Sequence, residues 1–215
     1  MFALLFILFL GTGDVPPIGT AKVKDYYIDR TEVLNVHWME YMFYRKKQLD
    51  SAEVHTLYPQ ESNTWYTLPE NYFKPIVLIT YEQALDYCNW RSEVVSKNMN
   101  RKVKYTLPTK EEWSEIAEAL LHSEFERINK ELEKTKRKQR RRSGVYFVQN
   151  ASRKDNRILN IFDNVSEMTL TEYVAMGGNN YSPDELDGST TRTMQYNSPH
   201  LYLGFRCIAK FVDEE

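Results

Sequence analysis

A short extended segment that runs directly into a capped helix constrains this fold more than any other feature. Residues 105–107 favour a strand, which Pro108 ends because proline has no N–H for a sheet ladder. Thr109 and Glu112 have the spacing of a capping box, in which each side chain bonds to the backbone of the other residue. We therefore expect a helix from residue 110 to residue 121 or beyond.

The same succession occurs earlier in the chain. Residues 75–79 are a candidate for a short apolar strand, Thr80 is the expected N-cap, and residues 81–98 carry apolar side chains at helical spacing. A strand candidate at residues 26–30 and an imperfect helical pattern at residues 32–47 precede them. Short strands and helices thus follow one another along the chain.

The composition is that of a soluble globular protein. The chain has 215 residues, of which 42% are hydrophobic and 27% charged, and this suits about one domain. It excludes a disordered tail, a collagen-like repeat and a protein that spans the membrane several times. The 15 Tyr, 10 Phe and 4 Trp residues predict a core of aromatic side chains, many with a polar tip that needs a partner.

The first residues predict export. Residues 2–10 form an unbroken apolar run, which is shorter than the about 20 residues that a membrane helix needs. Such a run is typical of a signal peptide, although no basic residue precedes it; a buried strand is the alternative. We expect a signal peptide at residues 1–13 and a mature domain at residues 14–215. This domain would lie in the periplasm, on the cell surface or outside the cell, with no transmembrane span.

A charged segment interrupts the globular pattern at residues 123–143, where we expect an exposed helical insertion. Within it, residues 134–142 hold seven basic side chains in nine positions, and the chain without these nine residues has 21 basic against 30 acidic residues. We expect this run to contact an acidic protein or an envelope partner; the alternative is a solvated surface. Nucleic acid is not expected, because no aromatic side chain interrupts the run to stack on bases. The seven residues are Lys134, Lys136, Arg137, Lys138, Arg140, Arg141 and Arg142.

Four spaced motifs occur in a fixed order. They read YIDRTEVLN at 27–35, PIV with TYEQA and YCNW within 75–90, YTLPTKEEW at 105–113, and NIFDNVSEM at 160–168 followed by GG and GFR. Together they resemble the formylglycine-generating enzyme superfamily, also called sulfatase-modifying factors, over about residues 15–211. The resemblance implies an irregular α+β fold similar to C-type lectins, with little regular secondary structure.

Several motif residues are expected to have structural roles. Trp90 and Trp113 are large apolar anchors on neighbouring helices, so we expect them in the core. Arg206 follows a Gly-Phe pair and is expected to form a buried ion pair with a carboxylate. The candidate carboxylates are those of Glu32, Glu112 and Glu167.

The number of cysteines bears on the activity that the resemblance implies. The oxidases of this superfamily bind copper(I) through two thiolates that follow the glycine pair, and counting from Gly178 places Ser182 and Asp187 at those positions. Neither is a soft ligand, and the chain has two cysteines in all, at other motif positions. We therefore expect no copper and no formylglycine generation. The resemblance instead implies a structural disulfide between Cys88 and Cys207; two buried thiols are the alternative.

The resemblance also implies a calcium loop. Its ligands would be Asn160, Asp163, Val165 and Glu167, which offer the oxygen atoms that a hard cation prefers. Asp163 stands where the family has glycine, and it would strain the turn if its φ were positive. The alternative is that Asn160 caps a turn and Glu167 pairs with a basic residue.

The expected function is a non-catalytic binding or assembly module of the cell envelope. The alternatives are an oxygen-dependent nonheme metal enzyme with a different ligand set and a regulatory partner of a catalytic paralogue. We expect the ligand groove around the position of the family's active centre. Its expected residues are Asn179, Asn180, Tyr181, Ser182, Asp187, Arg192 and Tyr196.

Overall fold

The computed structural model describes residues 15–51, 53–60, 64–141, 157–182 and 187–212. The predicted signal peptide at residues 1–13 and the last basic residue, Arg142, lie outside these ranges. Within the described ranges, no helix is long and apolar enough to cross a bilayer.

The described residues form both helices and strands, which confirms the predicted α+β class. The helices are α1 (Asn35–Arg45), α2 (Tyr81–Met99) and α3 (Lys110–Arg141). The strands are β1 (Thr20–Val23), β2 (Tyr26–Asp29), β3 (Val103–Thr106), β4 (Ser166–Met168), β5 (Val174–Met176), β6 (Thr193–Gln195), β7 (Leu203–Gly204) and β8 (Ile208–Phe211).

The strands make two small sheets of four strands each. The first has the order β1-β2-β8-β3 and is antiparallel throughout, so that the C-terminal strand β8 lies between strands from the first half of the chain. The second has the order β6-β5-β4-β7, and its β4 and β7 run parallel. This parallel pair brings residues 166–167 beside residues 203–204 and so positions the charged residues described below.

Both predicted starts of helices are confirmed. Thr80 accepts a hydrogen bond from the Gln83 backbone, and the Gln83 side chain accepts one from Thr80 N–H at 2.7 Å. Thr109 and Glu112 exchange the same two bonds at 3.1 and 2.9 Å. These reciprocal bonds satisfy backbone donors that have no partner inside a helix.

Residues 75–79 do not form the predicted strand. Only Pro75 makes a β-bridge, to Leu34, and the φ of Leu78 is 61°, which interrupts an extended course. The predicted helix at residues 32–47 begins later, at Asn35, because Val33, two residues earlier, donates its N–H to Phe205 O. Long-range pairing of the backbone overrides the local pattern at both places.

Helix α3 runs on into the predicted insertion. A non-helical residue, Glu124 (φ −131°, ψ 26°), marks a kink between the two predicted parts. Beyond the kink, Ile128, Leu132 and Thr135 are buried, and the two aliphatic side chains belong to the same core cluster as Phe162. The prediction of an exposed helix was therefore wrong on this face, which packs against the body of the domain.

The largest core cluster contains many aromatic side chains that contact one another, as predicted. The ring of Trp38 lies 4.8 Å from that of Tyr41, and Trp90 lies 5.4 Å from the same tyrosine ring. Tyr87 meets Phe205 edge to face at 5.4 Å. Such tilted and perpendicular contacts are the arrangement that aromatic rings prefer, and they connect α1 and α2 to the segment that follows β7.

Candidate functional site

An ion pair with almost no exposure lies at the centre of the molecule. Arg206 Nε and Nη2 donate to both carboxylate oxygens of Glu167 at 2.6 to 2.8 Å, and the two side chains are 0% and 1% exposed. The guanidinium also donates to Asp29 O at 3.1 Å and to Leu159 O at 2.9 Å. Of the three carboxylates considered as partners, Glu167 is therefore the one that Arg206 contacts.

Trp113 completes the environment of this pair. Its indole Nε1 donates to Glu167 Oε2 at 2.9 Å, and its ring is fully buried. The ring passes close to Gly177, where a Cβ would lie 3.0 Å from the indole and 2.9 Å from Ile161 O. The glycine, whose φ is 83°, is therefore required for the close approach of the tryptophan.

Glu32 lies beside this pair as a second buried carboxylate. It is 0% exposed and accepts hydrogen bonds from the side-chain amides of Asn164 at 2.6 Å and Asn160 at 3.3 Å. Burial raises the pKa of Glu32 to about 7, with Arg206 opposing this rise and Glu167 adding to it. Two carboxylates therefore lie near one guanidinium, and Glu32 holds a proton more readily than a solvated glutamate.

The carboxylate among the predicted calcium ligands, that of Glu167, is engaged within the protein. Both oxygens of Glu167 accept hydrogen bonds from Arg206, and the Asn160 amide donates to a carboxylate. Asp163 Oδ2 accepts from Thr135 at 3.0 Å, and burial raises the pKa of Asp163 to about 6. A calcium ion here would compete with a guanidinium for Glu167, so the donor set as arranged does not fit the ion.

Calcium binding therefore stays a prediction that this geometry does not favour. In the described part of the chain, no group of three or more His, Cys, Asp or Glu side chains is placed to hold a metal. The loop turns through Asn160 and Asn164, whose φ values are 58° and 75°, conformations that asparagine tolerates better than most residues. Asp163 does not have a positive φ, so the strain considered for that substitution does not arise.

The two cysteines lie together in the core. Cys88 on α2 and Cys207, just before β8, have their sulfur atoms 3.1 Å apart, and both residues are buried thiols in this structure. Burial, the neighbouring Cys88 and Asp29 hold the pKa of Cys207 well above its usual range. The disulfide stays a prediction, for which the two sulfur atoms are suitably close.

The positions that the resemblance assigns to copper thiolates have other roles here. The backbone N–H of Ser182 donates to Asn179 O at 3.2 Å. The carboxylate of Asp187 accepts from Arg192 at 2.6 Å and from Ser189 N–H at 3.0 Å. A hydroxyl group and an ion-paired carboxylate therefore replace the two soft ligands.

Two of the predicted groove residues are part of the interior. Asn180 and Asn164 exchange hydrogen bonds at 3.0 Å through backbone and side chain, and Asn179 Nδ2 donates to Ser166 Oγ at 3.1 Å. Both groove asparagines are 6% exposed. Their side chains hold the second sheet to the loop of residues 160–164, so they are not available to a ligand as predicted.

Two of the remaining groove residues lie in separate aromatic environments. Tyr181 lies edge to face with Tyr202 at 5.8 Å, and Tyr196 makes the same kind of contact with Tyr173 at 5.8 Å. Tyr181 is at the rim of a narrow cavity, which also contains Asn164, whose buried Oδ1 has no hydrogen-bond partner among the described residues. The other residues lining this cavity are Trp65, Pro75, Val77, Val165 and Leu201.

A sequence comparison decides the family. The model of the sulfatase-modifying factor enzyme 1-like domain matches residues 9–211, which is nearly the whole chain. The chain belongs to this family. A search of curated proteins finds no match.

CarF and PvdO are two of the solved structures that this chain resembles. CarF superposes with a TM-score of 0.52 at 14% identity, and the match covers 87% of each chain. PvdO from Pseudomonas aeruginosa superposes with a TM-score of 0.46 at 10% identity, over 87% of this chain and 80% of that one. At 14% identity, the likeness to CarF concerns the fold alone.

This sulfatase-modifying factor-like domain contains one contact that sequence reasoning missed. The insertion reaches the loop of residues 160–164 through the hydrogen bond from Thr135 to Asp163, two residues that the charge pattern did not connect. The spacing of Ile128 and Leu132, four positions apart on one face of the helix, was the signal for a buried face. The described charges of the interior thus hold loops in place.

Proposed function

We propose that this chain is an exported, non-catalytic binding or assembly module of the sulfatase-modifying factor-like family. The observation that carries the proposal is the placement of the two cysteines, which lie 3.1 Å apart in the core. The chain has no third cysteine. The thiolate pair that the family's oxidases use is therefore missing from the positions of Ser182 and Asp187.

The groups at those positions argue against the oxidase reaction. Copper(I) is a soft ion that binds thiolates strongly and hydroxyl or carboxylate groups weakly. The carboxylate of Asp187 is also paired with Arg192, so an ion would have to compete with a fixed positive charge. The ion pair of Arg206 and Glu167 stabilises the fold. This contact between two side chains needs neither a metal nor oxygen.

Binding to a partner is the role that the surface supports. The described residues Lys134 and Lys138 of the basic run are exposed, while the opposite face of the same helix is buried in the core. The insertion is thus anchored and presents cationic side chains to the surroundings. We propose that this run contacts an acidic protein or an envelope partner.

The proposal is tested by measuring metals in the purified native protein. We expect no stoichiometric copper or iron in the wild type. The double variant Ser182→Cys/Asp187→Cys restores two thiols at the assigned positions and should bind about one equivalent of copper(I). Stoichiometric copper in the wild type would overturn the proposal, and stoichiometric iron would favour the alternative of a nonheme metal enzyme.

The same measurement tests the separate prediction of calcium. One bound calcium per chain would mean that the loop of residues 160–164 rearranges so that Glu167 shares its carboxylate between the ion and Arg206. Because both oxygens of Glu167 already accept hydrogen bonds from the guanidinium, we expect calcium to leave the melting temperature unchanged.

A further inference from the structure

The turn between β4 and β5 contains a tyrosine where the backbone favours another residue. Val174 N–H donates to Thr171 O at 3.1 Å and closes the turn, and the residue before Val174, Tyr173, has a φ of 62°. This left-handed conformation favours glycine or asparagine, and it is an outlier for a bulky side chain. Local structure therefore does not explain the presence of a tyrosine at this position.

The ring of Tyr173 is exposed and contacts a second tyrosine that is half-buried. It is 46% exposed and meets the ring of Tyr196 at 5.8 Å and an angle of 73°. The two backbones are joined, since Tyr196 N–H donates to Tyr173 O at 3.1 Å. A third tyrosine belongs to the same region, because the hydroxyl of Tyr81 donates to Leu170 O at 2.8 Å. We call Tyr81, Tyr173 and Tyr196 the tyrosine cluster.

Two carboxylates give this cluster a negative field. Glu172 precedes Tyr173 in the turn, and Glu82 follows Tyr81 at the start of α2. A hydrogen bond to Glu172 raises the pKa of Tyr173, and the charge of Glu82 acts in the same direction. Burial raises the pKa of Tyr81, and the same two carboxylates raise it further. Both glutamates therefore lie close enough to influence the rings of the cluster.

We propose that the tyrosine cluster binds the guanidinium of an arginine side chain from a partner polypeptide. A planar guanidinium stacks on the face of an aromatic ring, and the attraction grows as the pair is desolvated. Glu82 and Glu172 supply the opposite charge. Leu170, which is 44% exposed, provides an apolar surface for the aliphatic stem of the arginine. The proposal rests on the binding role proposed above, but not on export.

The experiment uses the capped peptide acetyl-Gly-Arg-Gly-amide and follows the backbone amide signals of the folded protein by NMR. We expect saturable shifts at residues 170–176 and 193–197. A matched peptide with citrulline in place of arginine has the same shape without the charge, and it should produce no saturable shift. Equal binding of the two peptides would overturn the proposal.

Variants separate binding from folding. Tyr173→Gly should weaken binding by about fivefold or more, while its melting temperature stays the same or rises because glycine suits the left-handed backbone. Glu172→Gln and Glu82→Gln should each weaken binding. Tyr44→Ala, at an exposed tyrosine of α1 (45% exposed), is the control and should bind as the wild type does.

The outcomes distinguish this site from the proposed function. Wild-type affinity in Tyr173→Gly, or shifts that occur away from the tyrosine cluster, would overturn the site. If the purified protein in that case contains neither copper nor iron, the proposed arginine site is rejected and the proposed non-catalytic role is kept. Stoichiometric copper or iron would overturn the non-catalytic role. It would not change what the peptide titration shows about the tyrosine cluster.

Discussion

The stability of the fold depends more strongly on the buried charged residues than on the exposed ones. Replacing Arg206 by methionine leaves Glu167 buried beside Trp113 without a cation. Breaking a buried ion pair in this way costs about 3 to 5 kcal/mol. We expect Arg206→Met to lower the free energy of unfolding by that amount, measured by urea denaturation.

A surface arginine provides the matched control for that variant. Arg192 pairs with Asp187 at 2.6 Å, but the two side chains are 28% and 54% exposed, and such pairs contribute about 0 to 1 kcal/mol. Arg192→Met should therefore change the stability by less than about 1 kcal/mol. Equal losses in the two variants would contradict the structural role assigned to Arg206.

The raised pKa of Glu32 predicts that the stability of the protein depends on pH. Its pKa is raised from 4.5 to about 7 in the folded protein, so the folded state holds a proton that the unfolded chain releases. The associated stability is fully present below pH 4.5 and is lost as the pH rises through about 7. A pKa that is one pH unit higher in the folded protein than in the unfolded chain corresponds to about 1.4 kcal/mol of stability.

The variant Glu32→Gln isolates this contribution. Asp163, whose pKa is raised to about 6, contributes in the same direction, so wild type and variant are compared at pH 5 and pH 8. We expect urea denaturation to show a smaller loss of stability with rising pH in the variant. Identical losses in the two proteins would mean that Glu32 does not titrate in this range.

Among the elements, α3 buries one face of the charged insertion, and we therefore expect the insertion to be part of the folded core. Leu132 is 4% exposed, and truncating a buried leucine costs about 2 to 5 kcal/mol. Leu132→Ala should therefore destabilise the whole domain, as measured by thermal unfolding. Lys134→Ala, at an exposed position of the same helix, should leave the melting temperature nearly unchanged. If both variants melt like the wild type, the insertion folds independently of the domain.

The predicted disulfide would join α2 to the residue that precedes β8. Closing the loop between Cys88 and Cys207 stabilises the protein by about 4 to 5 kcal/mol in the chain-entropy model. Peptide mapping of the exported protein without reductant should show the crosslink between these two residues. Two thiols that an alkylating reagent can modify after unfolding would contradict it.

The sequence predicted elements well where the signals are local. The caps Thr80 and Thr109 bond to residues within their own first turn, so sequence spacing suffices to find them. The failure at residues 75–79 has a non-local cause, because the backbone there pairs with Leu34. The buried face of the insertion was missed because seven basic residues dominated the composition of the segment.

For the molecule as a whole, the order of the four motifs was enough to predict the family and the fold class. It was not enough to tell which of the predicted groove residues lie in the interior. Asn179 and Asn180 follow a motif glycine and are polar, yet they bond to Ser166 and Asn164 across a sheet that no local pattern describes. Tyr173 was missed because its unusual feature, a φ of 62°, is a property of the backbone.

We propose that this member of the sulfatase-modifying factor-like family binds a partner and does not catalyse formylglycine formation. The purified protein is incubated with copper(I), oxygen, an excess of a thiol as electron donor and a cysteine-containing substrate peptide, and the peptide is analysed by mass spectrometry. With Ser182 and Asp187 at the positions of the copper ligands, we predict that the peptide cysteine remains unconverted. Enzyme-dependent conversion of the cysteine to formylglycine, over successive turnovers, would contradict the claim.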